Sequence, residues 1–213
     1  MENRFVINIG RQLGSGGREV GEVLARRLGI ELYDKKLINL AAQQSGLCPE
    51  VFERADEKES HNRLATLLSY LRAPFAGDGG ATTDVLSGDA LFKIQSDVIR
   101  EVAARESALF VGRCADYILR EHPRMVSVFI TADDADRIRR ICARTGCSEA
   151  EARQIMARGD ARRADYYNYF SLRTWGAAAS YDLCVSTSAL GVESAADLIL
   201  RFAARKLDLK MDL

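Results

Sequence analysis

Apolar positions along the chain alternate between two rhythms. Short unbroken runs bounded by glycine or charge predict strands buried on both faces. They fall at Phe5–Ile9, Ala108–Val111, Val126–Thr131 and Leu183–Ser186, with a fainter run at Glu31–Tyr33. Between them, apolar residues recur every three or four positions, as a one-sided helix requires. Val20, Val23, Leu24 and Leu28 predict a helix from Gly17 to Leu28, with Gly29 as its stop. Leu91, Ile94, Val98 and Val102 predict another from about Asp89 to Glu106. Asp133 or Asp134 caps a helix that ends near Thr145-Gly146, and Ser148-Glu-Ala-Glu151 is a capping box for a long helix beyond it. A closing helix over Val192–Leu207 turns Ala195, Leu198, Ile199 and Phe202 inward. Helical patterns also cover Lys35–Gln44, the stretch opening at Pro49, and Leu64–Leu71. Ala73–Gly88, with Pro74, Gly77, Gly79 and Gly80, is loop-like: a lid or binding loop, or a plain surface insertion.

Strands that alternate with helices predict an α/β fold, a five-stranded, mostly parallel sheet with helices on both faces. Ligands of such sheets bind at the carboxyl ends of the strands. The glycine turn after the first strand, Asp34, Gly112-Arg113 and the turn after Ser186 all fall at such ends. They predict one site on one rim.

Composition narrows the functional classes. With 213 residues the chain suits one large α/β domain, and its 30 basic and 30 acidic residues cancel, which disfavours nucleic acid as a partner. Cys48, Cys114, Cys142, Cys147 and Cys184 are odd in number and form no CxxC pair or Cys/His cluster, so reduced thiols and no metal site are expected. No apolar run approaches membrane-span length, and no signal-peptide core follows the first residues. The expectation is a cytoplasmic protein with no membrane partner; a homodimer is left open.

Gly14-Ser15-Gly16-Gly17 stands between the first strand and the first helix. Small residues there let backbone N–H groups wrap an anion, although a tight packing turn has the same composition. The phosphate loop GxxxxGK[ST] asks for a lysine and then a hydroxyl; by spacing, Gly17 takes the lysine's place. A dinucleotide fingerprint competes, but Glu19 occupies its third glycine. Arg11 and Arg18 flank the turn, and either is a candidate for the missing positive charge. Asp34 accepts hydrogen bonds from a ligand or caps the next helix. Arg113 binds an anion or pairs with Asp116.

Residues 137–163 carry eight arginines against three acids. Arg158, Arg162 and Arg163, with Asp160 among them, lie about one turn apart and form a candidate lid over phosphate, while Arg139, Arg140 and Arg144 suit a solvated face. The aromatic residues Tyr166, Tyr167, Tyr169, Phe170 and Trp175 suit packing onto the core better than base stacking.

Several separated motifs resemble the cytidylate kinase-like family of P-loop proteins along nearly the whole chain. They are Gly10-Arg-Gln-Leu-Gly-Ser-Gly-Gly17, Tyr33-Asp-Lys-Lys-Leu-Ile38, Val111-Gly-Arg-Cys-Ala-Asp116, Asp160-Ala-Arg-Arg163 with Tyr166-Tyr167, Trp175-Gly176 and Tyr181-Asp-Leu183. The resemblance implies a three-layer α/β/α sandwich with a helical lid at about 148–170 and an acceptor-binding insertion at about 45–90, in one domain. It implies transfer of the γ-phosphoryl of ATP, with Mg²⁺, to CMP, dCMP or a similar small acceptor. Carried over by position, Gly14, Ser15, Gly16, Gly17 and Arg18 cradle the ATP phosphates, and Ser186, with the turn to Ser188, lies near the ATP base. Asp34, Arg113 and Asp116 contact the acceptor. Arg11, Arg158 and Arg163 neutralise the transferring phosphoryl, and Asp160 and Arg162 belong to the lid. This chain departs from the family pattern at Gly17 and at the missing hydroxyl after it. Its alternative is a nucleotide-binding module of the same fold without catalysis, and a weaker one is a nicotinamide-dependent oxidoreductase.

Overall fold

The computed structural model describes residues 4–34, 37, 39–40 and 88–209. The helices expected to open at Pro49 and to cover Leu64–Leu71 lie outside these residues, as do most of Lys35–Gln44 and the loop up to residue 87. The chain divides into two compact units, Met1–Tyr33 with Val102–Leu213, and Asp34–Glu101. The expected five-stranded sheet belongs to the first unit.

The strands are β1 (Val6–Arg11), β2 (Glu31–Tyr33), β3 (Ala108–Val111), β4 (Met125–Thr131) and β5 (Leu183–Ser186). Their order is β2-β3-β1-β4-β5, and every pairing is parallel. Among the described residues the helices are α1 (Gly17–Leu28), α2 (Gly88–Arg105), α3 (Ala115–Ile118), α4 (Asp134–Thr145), α5 (Glu149–Ser171) and α6 (Thr187–Leu207). None is long and apolar enough to cross a membrane.

Parallel pairing needs cover on both faces. On one face Ile7, Ile9, Leu109, Val111, Val128, Ile130 and Val185 pack against Val20 and Leu24 of α1 and Ala195, Ile199 and Ala203 of α6. The α6 stripe leaves Leu198 exposed, against the inward placement expected of it; Ala196 and Leu200 take that side instead. Helix α6 also begins five residues earlier than its periodicity predicts, with a break at Gly191 (φ 76°, ψ 172°) that interrupts the pattern.

The opposite face is aromatic and partly polar. Gly10 pairs in register with Phe129, and a methyl group at position 10 would stand 2.8 Å from the Phe129 ring. Phe129 packs edge-on against Trp175 (5.1 Å) and tilted on Tyr181 (4.8 Å), which stacks on Tyr167 of α5 at 5.9 Å. Of the rings expected to hold a helix on the core, Tyr167 and Trp175 do so here, while Tyr169 lies exposed.

Local signals set the helix ends. Gly29 caps α1 in the left-handed region (φ 63°), which a side chain resists. Ser148 and Glu151 close the predicted capping box, with Ser148 N donating to Glu151 Oε2 at 2.9 Å. Helices α4 and α5 share a small core of Ile138, Ile141 and Ala152, against which Leu13 of the glycine turn also packs. That contact brings the arginine-rich helices to the end of β1.

Candidate active site

The sheet order reverses at β1, which sends its chain first toward β2 and later toward β4. In open parallel sheets a crevice forms at such a point, beyond the carboxyl ends of the strands. The carboxyl end of β1 leads into the glycine turn, and that of its neighbour β3 leads into Gly112-Arg113.

The turn is held from behind, carbonyl by carbonyl. Gln12 O accepts from Ser15 Oγ (2.9 Å), Leu13 O from Arg137 Nε (2.9 Å), Gly14 O from Arg140 Nη1 (3.2 Å) and Ser15 O from Thr187 Oγ1 (2.6 Å). Leu13 N donates to Asp160 Oδ1 at 2.7 Å, and Asp160 also pairs with Arg137, which is 4% exposed. Gly14 and Gly16 both take φ 78°, and a methyl at Gly14 would stand 2.7 Å from Arg137 O. Only glycine meets both demands at position 14.

No acceptor among the described residues meets the N–H groups of Gly14, Gly16 and Gly17. A turn whose carbonyls are occupied and whose N–H groups open onto the start of α1 is a cradle for an anion.

Arg11 ends β1, and its stem crosses Gly17. A methyl at Gly17 would stand 2.6 Å from Arg11 Cβ and 3.1 Å from Cγ. Its guanidinium reaches Gly112, where a methyl would collide with Arg11 Nη1. Arg163 of α5 donates Nη1–H to Arg11 O at 3.1 Å. Arg18 is on the exposed side of α1, paired with Glu22 at 3.2 Å.

Gly112, Arg113 and Cys114 lie consecutively in the left-handed region (φ 75°, 64° and 53°). The two non-glycine residues cost about 1–2 kcal/mol each there, and strain of this kind gathers at functional sites. Burial pushes the Cys114 thiol well up, so it stays protonated.

Behind this turn Asp116 is buried, accepting from Tyr167 OH (2.7 Å) and Asn8 Nδ2 (3.2 Å). Burial raises its carboxyl pKa, against the lowering effect of the Tyr167 hydroxyl. Ser186 stands at the N-cap of α6, next to Thr187. Arg158 is exposed and donates back to Gln154 O of its own helix (3.3 Å), while Arg162 is half-buried. Asp34 belongs to the second unit, where its carbonyl accepts Leu37 N–H at 3.3 Å.

The structure therefore brings Arg11, Gly14–Gly17, Asp160 and Arg163 together, and leaves Arg18 and Arg158 facing outward. Arg140, expected on a solvated face, is a correction, since it holds the loop; Arg139, paired with Asp136, and Arg144 do lie exposed. Arg137, Arg140 and Thr187 are the site residues that sequence reasoning did not single out. The signal was the i, i+3 spacing of the two arginines on the side of α4 that carries Ile141.

The decisive comparison concerns the whole sheet and rim: the sequence matches the cytidylate kinase-like family over residues 6–189. The chain belongs to that family. This cytidylate kinase-like chain is also similar to an uncharacterized protein from Eubacterium ventriosum, at 27% identity and a TM-score of 0.69, over 94% of this chain and 98% of that one. Shikimate kinase from Bacteroides thetaiotaomicron is similar at 13% identity and a TM-score of 0.52, over 93% and 97% of the two chains, a likeness of P-loop kinase fold. No curated protein matches the sequence.

Proposed function

We propose that this chain transfers the γ-phosphoryl of ATP to a nucleoside monophosphate, CMP or dCMP, or to a similar small phosphate acceptor. The observation that carries the reading is the braced glycine turn, with three N–H groups open to an anion at the point where the sheet order reverses. Membership of the cytidylate kinase-like family supports the choice of acceptor.

Gly14, Ser15, Gly16 and Gly17 would hold the ATP phosphates through their backbone, with Arg18 at the helix start and Ser186 toward the base. Asp34 and Arg113 would hold the acceptor, with Asp116 fixing the Arg113 turn from below. Arg11 and Arg163 would face the charge that develops during transfer, with Arg158 and Arg162 added from α5.

The reaction is an in-line displacement. An acceptor phosphate oxygen bonds to the γ-phosphorus as the bond to the β,γ-bridging oxygen breaks, giving ADP and a nucleoside diphosphate. The protein's part is positioning and neutralisation of charge, without a covalent enzyme intermediate. Mg²⁺ would enter as the Mg·ATP substrate. The loop itself offers the ion no hydroxyl, because Arg18 stands at that place and Ser15 Oγ, fully buried, donates to Gln12 O.

The test is ATP consumption by the purified chain across CMP, dCMP, UMP, AMP and non-nucleotide acceptors. Turnover confined to a nucleoside monophosphate is expected; turnover with none of them overturns the reading. Gly17 at the lysine position favours a second reading, a nucleotide-binding module without transfer. It predicts calorimetric ATP binding with no product in the same screen.

A further inference from the structure

We propose that Arg11 is the catalytic cation that a phosphate-loop lysine supplies in other P-loop enzymes, delivered from the end of β1, with Gly17 and Gly112 kept bare to give it passage. The proposal rests on the phosphotransferase reading above and names the residue that makes it workable.

Steric exclusion comes first. A side chain at position 17 would meet Arg11 Cβ at 2.6 Å and Cγ at 3.1 Å. These atoms are the root of the arginine, not its mobile end, so they cannot swing away. Ile130 Cβ closes the other side at 3.2 Å. The contact with Cβ would arise with any side chain at 11 and that with Cγ with a long one, so a lysine at 17 is excluded while the Arg11 stem lies where it does.

Reach comes next. The Arg11 stem starts beside the glycine turn, and its head lies against Gly112, the first residue of the strained turn that carries Arg113. The guanidinium thus spans from the donor cradle to the turn assigned to the acceptor, where the phosphoryl in transit must pass. Its backbone is tethered by Arg163 to α5, itself fixed to the loop through Asp160. The rival cation, Arg18, turns to Glu22 with more than half of its side chain exposed.

Chemistry agrees. The equatorial oxygens of a transferring phosphoryl carry most of the charge, and a guanidinium meets two of them with parallel N–H bonds. Arg11 gives up no proton and forms no covalent bond; it remains a cation while the phosphorus changes partners.

The experiment compares wild type, Arg11→Ala, Gly17→Lys and the double variant Arg11→Gly/Gly17→Lys. The readouts are calorimetric affinity for Mg·ATP and Mg·ADP, melting temperature, and turnover with the acceptor from the screen. Arg11→Ala is expected to weaken ATP by about tenfold or more while leaving ADP within about twofold, because it removes a γ-phosphoryl contact. Turnover should fall by roughly 10²–10³. Gly17→Lys alone should melt lower than wild type, and adding Arg11→Gly, which removes both Cβ and Cγ, should raise the melting temperature above that of Gly17→Lys and restore preference for ATP over ADP. An Arg11→Ala protein with an unchanged ATP:ADP ratio overturns the proposal. So does a double variant that melts like wild type yet prefers ATP no more than Arg11→Ala does. If the double variant does not fold, the ATP:ADP ratio of Arg11→Ala alone decides. Wild type that binds ATP but transfers to no acceptor refutes the kinase reading separately, and the ratio still judges Arg11. Wild type that binds neither nucleotide removes both.

Discussion

Asp116 has a carboxyl that the fold would rather keep neutral. Burial raises its pKa, and the bond from the Tyr167 hydroxyl offsets this only in part. The folded chain therefore keeps this proton at pH values where the unfolded chain has lost it, so this group's contribution to stability falls as pH rises through the ordinary carboxylate range toward the folded value. Asp116→Asn cannot titrate. Its melting temperature relative to wild type should rise as pH climbs through and above the ordinary carboxylate range, and a pH-independent difference would contradict the assignment. Asp116 was legible as a residue near the rim from its place three residues after Arg113. Its burial was not, because that depends on Asn8 and Tyr167, each more than fifty positions away along the chain.

At the scale of elements, the strands and most helix ends were legible because local chemistry decides them. Unbroken apolar runs, the Gly29 stop and the Ser148 box need no distant partner. The four-residue α3 was too short to show a period. The bracing of the loop was illegible for a different reason: arginines on a polar helix normally face water, and only the docking of α4 on Leu13 turns Arg137 inward. Asp160→Ala should therefore cost about 2 kcal/mol in urea unfolding, since it leaves the buried Arg137 with only the exposed Asp134 as a charged partner and Leu13 N–H without its acceptor. A double-mutant cycle with Arg137→Met should return a coupling above about 1 kcal/mol. Ser148→Ala, at the exposed start of α5, should cost only about 1 kcal/mol and leave nucleotide affinity unchanged.

Over the whole molecule, the parallel sheet with its reversal at β1 explains how residues from four separate stretches reach one rim: Arg11–Gly17, Gly112–Arg113, Arg137–Arg140 and Asp160–Arg163. A ligand seated there stabilises the fold by mass action. Mg·ATP at about a hundredfold above its dissociation constant should add about 2.7 kcal/mol, a rise of roughly 5–10 °C in melting temperature for a chain of this size. No shift with ATP, alongside a shift with a nicotinamide dinucleotide, would revive the oxidoreductase alternative. The sheet architecture was legible from alternation alone, and the family from its separated motifs. The missing lysine at Gly17 was legible too, with Arg11 and Arg18 both open as replacements; the crossing of the Arg11 stem over Gly17 was not, since one residue ends a strand and the other begins a helix.

The edge-on packing of Trp175 on Phe129 has an optical consequence. The chain holds a single tryptophan. Its ring lies 5.1 Å from that of Phe129, whose register partner, Gly10, immediately precedes Arg11. An intrinsic fluorophore thus packs on the ring that covers Gly10, the residue before the strand end where the phosphates would sit. Emission from the unlabelled protein should follow nucleotide binding in stopped flow, giving association and dissociation rates before any acceptor is known.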